Sequence, residues 1–309
     1  MIEKGNSKMD KIIAVVVTYN RCDLLLECVC ALKESIHPVD VLIVDNASTD
    51  DTKQRIRPFV DEKKIFYLNT GKNLGGAGGF NFGLKKVYEM GYEFFWLMDD
   101  DTIVKPDSLT KLLEAKNIIG NEFGFLSSLA IWKDGSICHM NHHHVAPNWN
   151  DKKNLLEKGM LQIEIATFVS FFIKRNIVEH LGFPIKEYFI WGDDTEYSLR
   201  ISSQYPCYLV FNSKVVHKMK ENQSAASFAE FCDVNRINRM FYSFRNGCNT
   251  QRCRGVKKLI RYIFSGLCML VKVLQTKKTY KFKKICVLLK GYFVGLVLFH
   301  PKKEFPTGA

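Results

Sequence analysis

Three consecutive carboxylates, Asp99, Asp100 and Asp101, directly follow the apolar residues Trp96 to Met98. Adjacent anions at the end of a buried strand repel one another, so the cluster needs a divalent cation, and with it a phosphorylated ligand. A solvated acidic turn would also account for these residues taken alone. The cluster therefore predicts a metal-dependent nucleotide site that other parts of the chain have to support.

The elements that must position this cluster are predicted from hydrophobic patterning. Two further strand-like runs, 12–17 and 39–44, also end in polar residues, and helix-like stretches, 22–35 and 50–60, follow them. Continuous β-branched runs separated by helices predict an α/β fold with a parallel sheet covered on both faces. Ligands of such sheets bind beyond the carboxyl ends of the strands, where these polar residues gather.

A glycine-rich stretch, residues 73–83, lies between the second strand and the acidic cluster and precedes a helical stretch, 84–90. Glycines let the backbone approach a ligand, and free amides at the start of a helix favour a diphosphate or a sugar. The stretch is not a P-loop, because no Gly-Lys-Ser/Thr follows, and it does not match the dinucleotide fingerprint. We expect a loop that contacts the ligand.

Five motifs in this order resemble those of the family 2 glycosyltransferases with the GT-A fold. The resemblance covers about residues 10 to 225 and is nearest to the galactofuranosyltransferase and rhamnosyltransferase branch. It implies a Rossmann-like, mostly parallel sheet flanked by helices, and a divalent metal, Mn or Mg, as cofactor. The motifs are VVVTYNR (15–21), VDNASTDDT (44–52), NLGGAGGFNFG (73–83), WLMDDD (96–101) and FIWGDDTEYSLR (189–200).

The resemblance also implies the donor-side residues. Asp99 and Asp101 would bind the cation, which neutralises charge as the nucleoside diphosphate leaves. His217 resembles the family's additional metal ligand, although a lone histidine more often has a structural role. The residues implied to bind the nucleotide sugar are Thr18, Asn20, Arg21, Asp45, Asn73, Gly75, Gly76, Asp99 and Asp100.

On the acceptor side, Asp193 and Asp194 supply what an inverting transfer requires. A sugar hydroxyl is a weak nucleophile near neutral pH, so a carboxylate has to take its proton. Asp194 is the first candidate for this base and Asp193 the second. Trp191 would stack on a sugar ring, and Glu196 would bind acceptor hydroxyls. The same acidic residues also fit the start of a helix, where the dipole favours them.

The implied function is a metal-dependent inverting transfer from a nucleotide sugar, UDP-galactofuranose ahead of dTDP-rhamnose, to a hydroxyl of a lipid-linked oligosaccharide or polysaccharide. A sugar nucleotidyltransferase is an alternative, but it predicts glycines and several basic residues after the first strand, where residues 18–21 have one basic residue and no glycine. A non-catalytic carbohydrate-binding protein could keep Trp191 and the fold without needing both acidic groups. The oligomeric state stays open, a homo-oligomer included.

The carboxyl-terminal part differs in charge. Residues 234–303 contain 17 Lys or Arg and no Asp or Glu, whereas the whole chain has a net charge of +12. Its apolar blocks are shorter than the roughly 20 residues of a transmembrane helix or are interrupted by lysine. This pattern favours amphipathic helices on an anionic membrane surface. We expect a GT-A domain over 10–230 and a basic helical segment over 231–309.

Partners and compartment follow from the same patterns. The basic residues accompany no RNA- or DNA-binding motif, so we expect no nucleic-acid partner. The ten Cys form no CxxC pair, and residues 1–11 are polar and charged. The sequence thus predicts free thiols and a cytoplasmic protein, peripheral on the inner face of the cell membrane.

Overall fold

The computed structural model describes residues 10–60, 65–120, 122–141, 143–222 and 227–307. Ten strands within these ranges form one sheet. The strands are β1 (Ile12–Thr18), β2 (Asp40–Asp45), β3 (Ile65–Asn69), β4 (Phe94–Asp99), β5 (Thr102–Val104), β6 (Phe125–Ile131), β7 (His144–Val145), β8 (Met160–Ile165), β9 (Phe171–Lys174) and β10 (Cys207–His217). Their order is β3-β2-β1-β4-β9-β6-β10-β8-β7, and β5 pairs with β10.

The sheet has a parallel part and an antiparallel part. Strands β3, β2, β1 and β4 run parallel, as do β6 and β10. Strand β9 lies antiparallel between β4 and β6, and β5 and β8 lie antiparallel to β10. The register places Thr18 opposite Asp45 and Val17 opposite Asp99. The α/β class is confirmed in a mixed sheet, and the polar ends of β1, β2 and β4 share one edge.

Helices cover both faces of this sheet. Residues of β1 alternate between two apolar cores, with Ala14 and Val16 in one and Val15 in the other, because successive strand side chains point to opposite faces. The α-helices are α1 (Cys22–Lys33), α2 (Thr52–Val60), α3 (Gly75–Glu89), α4 (Ser108–Ile119), α5 (Lys153–Leu156), α6 (Arg175–Leu181), α7 (Asp193–Ser202), α8 (Val234–Cys253), α9 (Val256–Gln275) and α10 (Lys281–Phe293). The ten cysteines, all inside the described ranges, are free thiols.

The glycine-rich stretch is helical, so the predicted loop is wrong. Helix α3 begins at Gly75 rather than at Leu84. A Cβ on Gly79 would lie 2.6 Å from the side chain of Val17, and one on Gly83 would come as close to β1. These glycines therefore let α3 pack close to the sheet. In the sequence, glycines that serve this purpose resemble glycines of a loop.

Helices α8, α9 and α10 form the carboxyl-terminal group. They enclose a third apolar cluster, which includes Ile237, Phe244, Val273 and Leu288. A π-helical segment, Val294–Leu298, follows α10. Across the ranges that the structure describes, no helix is both long and apolar enough to span a bilayer.

Candidate active site

The acidic cluster lies where β4 turns into β5, and the end of β1 contacts it. Arg21 Nη1 donates to Asp101 Oδ2 at 2.7 Å and to Asp100 Oδ1 at 3.2 Å. Thr18 Oγ1 donates to Asp100 Oδ2 at 2.7 Å. Thr18 and Arg21, two of the residues implied to bind the nucleotide sugar, thus both hold carboxylates of the cluster.

His217 approaches the same cluster from the end of β10. Its Nε2 lies 3.2 Å from Asp101 Oδ1, and its Nδ1 lies 2.9 Å from Asn141 Oδ1. Nδ1 donates a proton to that amide oxygen, which orients the ring. Nε2 donates to the carboxylate and would have to lose its proton before it could bind a metal. Sequence reasoning missed Asn141, whose role depends on a contact made only in the fold.

The charges in this cluster are only partly balanced. Burial, followed by the charges of Asp101 and Asp100, raises the pKa of Asp99 well above its usual range. Burial also raises the pKa of Asp100, to about 6, although Arg21 opposes the shift. Burial would raise the pKa of Asp101 too, but the hydrogen bond with His217 and the charge of Arg21 leave it lowered. The excess negative charge favours an added cation.

The donor types fit a divalent metal. Two carboxylates and an imidazole, from Asp99, Asp101 and His217, suit Mn²⁺, while Mg²⁺ prefers oxygen ligands. Asp101 and His217 are already in contact. Within the described residues, no group of three or more His, Cys, Asp or Glu side chains is arranged to hold a metal ion. The fit therefore rests on donor chemistry and on the excess charge.

Asn20 lies in the loop that follows β1, and Asp45 is the last residue of β2. Asn20 Oδ1 accepts from Thr49 N at 2.7 Å, and Asn20 N donates to Ser48 Oγ at 2.9 Å. Asp45 is fully buried and accepts from Ser48 N at 2.8 Å and from the Tyr67 hydroxyl at 2.5 Å. Both residues thus fix the loops that border the predicted nucleotide site.

The start of α3 connects this side to the acceptor side. Asn73 Oδ1 accepts from Gly75 N at 2.8 Å, and the surroundings of Gly76 are open. Gly75 has a φ of +72°, and a Cβ there would lie 2.0 Å from the carbonyl oxygen of Phe189. The donor-side glycines and the acceptor-side motif are therefore in direct contact.

Asp193 and Asp194 are the first two residues of α7, as the helix-start interpretation predicts. Burial and the charge of Asp194 raise the pKa of Asp193 to about 8, and burial raises the pKa of Asp194. The charge of Asp193 in turn contributes to the raised pKa of Asp99. The two acidic groups are thus close enough to interact, and carboxylates with raised pKa values suit proton transfer near neutral pH.

The two predicted acceptor contacts, Glu196 and Trp191, have different surroundings. Glu196 accepts from Arg200 Nε at 3.0 Å and Nη2 at 2.5 Å, and both side chains are buried. Both oxygens of Glu196 thus form a buried ion pair that would be costly to break. Trp191 is partly exposed, and the guanidinium of Arg239 lies 5.7 Å from its ring centroid.

Arg245 and Asn246 of α8 were missed by sequence reasoning. Asn246 is fully buried and donates to backbone carbonyls of the loop before α7. The available signal was an amide on the inward face of α8, between Phe244 and Cys248. A buried polar group requires partners, but the sequence alone does not show which carbonyl groups lie opposite this amide.

Comparisons of sequence relate the chain to known enzymes. The profile of "Glycosyl transferase family 2" matches residues 13–182. Galactofuranosyltransferase GlfT1 of Mycolicibacterium smegmatis is 36% identical over 91 residues, which are 28% of this chain and 29% of that relative, so less than a third of its length is matched. The dTDP-rhamnosyl transferase RfbF of Shigella flexneri is 27% identical over 308 residues, 91% of this chain and 95% of the relative.

Solved structures agree at the level of the fold. Mannosyltransferase PcManGT from Pyrobaculum calidifontis, in complex with GDP-Man and Mn²⁺, has a TM-score of 0.55 at 15% identity and covers 94% of this chain and 76% of its own. GalNAc-T7 with UDP, GalNAc and Mn²⁺ has a TM-score of 0.57 at 14% identity, over 79% of this chain and 51% of its own. The fold is GT-A-like, and because the family profile matches more than half of its residues, the chain belongs to glycosyl transferase family 2.

Proposed function

We propose that this glycosyltransferase moves a sugar, with inversion and with the help of Mn or Mg, from a nucleotide donor to a hydroxyl of a lipid-linked oligosaccharide or polysaccharide. The observation that carries the proposal is the proximity of two unlike acidic groups. Arg21 and His217 contact the Asp99–Asp101 group, whereas burial gives Asp193 a pKa of about 8. One group suits a cation and the other suits a proton.

On the donor side, Asp99, Asp101 and His217 would hold the cation, which when bound supplies neutralisation of the departing diphosphate. Thr18 and Arg21 fix the carboxylates of Asp100 and Asp101 in place. The residues that we propose to border the nucleotide sugar are Asn20, Asp45, Asn73, Gly75, Gly76 and Asp100.

On the acceptor side, Asp194 is the proposed base and Asp193 the second candidate. The carboxylate takes the proton of the acceptor hydroxyl as its oxygen attacks the anomeric carbon, opposite the leaving diphosphate. Trp191 is partly exposed, two residues before Asp193, and is available to stack on a sugar ring.

As donor we propose UDP-galactofuranose, supported by the similarity to GlfT1 over 91 residues. A second candidate, dTDP-rhamnose, is supported by the similarity to RfbF over 91% of this chain. Purified protein should turn over one of these donors, in a panel with common UDP-sugars, when Mn²⁺ and a membrane-lipid extract are present. EDTA should abolish the turnover. Failure to bind any donor, with or without Mn²⁺, would contradict the proposal.

We further propose that the catalytic domain, 10–230, works at the cytoplasmic membrane face and is attached through the segment 231–309. One face of α9 is apolar yet solvent-exposed, with side chains spaced three or four residues apart. Lys257, Lys258, Arg261 and Lys272 are also on α9. Apolar faces beside cations bind anionic bilayers. The exposed apolar residues, 50% to 72% accessible, are Val256, Ile260, Phe264, Leu267, Val271 and Leu274.

Vesicle sedimentation tests this attachment. The protein should sediment with vesicles that contain anionic lipid and less with neutral ones. Phe264→Glu should weaken the binding, because it places a charge within the apolar face of α9. Ile36→Glu is the matched control, since Ile36 is 68% exposed but lies outside the carboxyl-terminal helices. Equal loss of binding by both variants would argue against a specific surface on α9.

A further inference from the structure

The five residues before α7, 188–192, form a loop with an unusual backbone, called here the acceptor loop. Phe189 has φ 64° and ψ −63°, and Ile190 N donates to the carbonyl oxygen of Tyr188 at 2.7 Å. This is a γ-turn with positive φ, a rare and strained conformation. Trp191 and Gly192 also have positive φ values, of 64° and 86°. Such a loop persists only where its surroundings hold it.

Asn246 of α8 holds the acceptor loop through its backbone. The amide Nδ2 of this fully buried side chain lies 2.9 Å from the carbonyl oxygen of Tyr188, 3.2 Å from that of Ile190 and 2.8 Å from that of Trp191. One side chain therefore contacts three of the five peptide carbonyls of the loop.

Arg245 fixes the orientation of that amide. Its Nη2 donates to Asn246 Oδ1 at 2.8 Å and also to the carbonyl oxygens of Glu187 at 2.7 Å and Tyr188 at 3.1 Å. Because a guanidinium can only donate, it binds the amide oxygen and leaves the NH2 group for the loop. The two residues act together as one set of donors.

The start of α3 holds the opposite side of the acceptor loop. Ala77 N donates to the carbonyl oxygen of Phe189 at 3.2 Å. The absence of a side chain on Gly75 makes this approach possible, since its Cβ would lie 2.0 Å from the same oxygen. The strained loop is thus clamped between the donor-side helix α3 and the carboxyl-terminal helix α8.

We propose that Arg245 and Asn246 are positioning residues for the catalytic base. By fixing the acceptor loop they set where α7 begins, and so where the carboxylates of Asp193 and Asp194 point. The role as base rests on the proposed function, whereas the clamp itself does not. Helix α8 then belongs to the catalytic machinery, although it lies outside the family match at 13–182 and outside the predicted domain, 10–230.

The test compares Asn246→Ala with Asn238→Ala. Asn238 lies on the same helix, but its side chain is exposed to solvent. Two quantities are measured: amide hydrogen exchange over 188–192, and sugar transfer per chain that binds UDP with Mn²⁺. Counting UDP-binding chains removes the effect of any fraction that fails to fold.

In Asn246→Ala, exchange over 188–192 should accelerate and transfer per binding site should fall about 100-fold, because small displacements of a catalytic group cost that much. UDP affinity should not change. Asn238→Ala should leave both measurements as in the wild type. Arg245→Lys, which keeps the charge but loses the planar fork, should give an intermediate loss of transfer.

Faster exchange with unchanged transfer would overturn the positioning role, and unchanged exchange would overturn the clamp. If the wild-type protein transferred no sugar from any donor, the proposed function and the role as base would both fail. Hydrogen exchange would still decide whether Asn246 holds the acceptor loop.

Discussion

Two acidic groups lie in the candidate site, and they differ in their neighbours. Arg21 and His217 contact the group at the end of β4. The neighbours that act on the pKa values of the group at the start of α7 are carboxylates, backbone donors and the Thr195 hydroxyl. Burial makes negative charge costly in both places, so the partners decide the chemistry. Residues of the same type are thus suited to a cation in one place and to a proton in the other.

The largest effect is expected from a substitution in the acidic group at the start of α7. Asp194→Asn should reduce sugar transfer by roughly 10²- to 10⁴-fold, because the variant cannot take the proton of the acceptor hydroxyl. Binding of UDP with Mn²⁺, measured by calorimetry, should be unchanged. Asp193→Asn is the matched variant and should lose less activity. A larger loss in Asp193→Asn would mean that Asp193 is the base and Asp194 the helper. Transfer at the wild-type rate by both variants would mean that neither residue is the base.

The next largest effect is expected from a substitution in the acidic group at the end of β4. Asp101→Asn removes the charge that Arg21 and His217 share, so Mn²⁺-dependent binding of UDP should weaken by at least about tenfold. Calorimetry with Mn²⁺ and with EDTA measures the difference. Glu114→Gln, which alters an exposed ion pair with Lys111, is the control. If Asp101→Asn kept its Mn²⁺ dependence, the assignment of this group to the cation would be wrong.

A pH profile sharpens the comparison. The α7 pair should lose its last proton near the raised pKa of Asp193, about 8. Only the deprotonated base can accept a proton, so transfer should rise with pH towards that value and level off above it. Asp193→Asn removes the neighbouring charge, and the rise should move to lower pH in that variant. A rate that fell over the same range would contradict the role of the pair as base.

The smallest expected effect concerns Glu304, a carboxylate whose burial is offset by its hydrogen-bond partners. Burial would raise its pKa, but hydrogen bonds from Lys186, Lys85 and Asn81 lower it to about 2. A carboxylate whose pKa is lower in the folded than in the unfolded state stabilises the fold at pH values above its unfolded pKa. This stabilisation is lost as the pH falls towards the folded pKa. Glu304→Gln should lower Tm by about 2 °C at neutral pH, and the difference should vanish in acid.

Transfer by this variant should stay at the wild-type level, because Glu304 ties the chain terminus to α3 and does not contact either acidic group. Glu89→Gln is the control for Tm, since Glu89 forms an exposed ion pair with Lys86. A loss of transfer in Glu304→Gln would show that the terminus also influences the site.

Local patterns predicted β1, β2 and β4 and both acidic groups, because an apolar run followed by polar residues marks a strand end wherever it occurs. The extent of α3 was not predicted, since glycine serves both loops and close helix packing. The pairing of Glu196 with Arg200 was available from their spacing of four residues. The contacts of Asn246 were not, because its partners lie more than 50 residues away along the chain.

The exposed apolar face of α9 changes the geometry of the search for an acceptor. On the membrane surface proposed for it, the protein shares a plane with a lipid-linked acceptor, and the two meet by lateral diffusion. The local concentration then depends on the number of acceptors per unit area of lipid rather than on the volume of the cell. An acceptor site of low intrinsic affinity would be sufficient there, and product would leave it quickly.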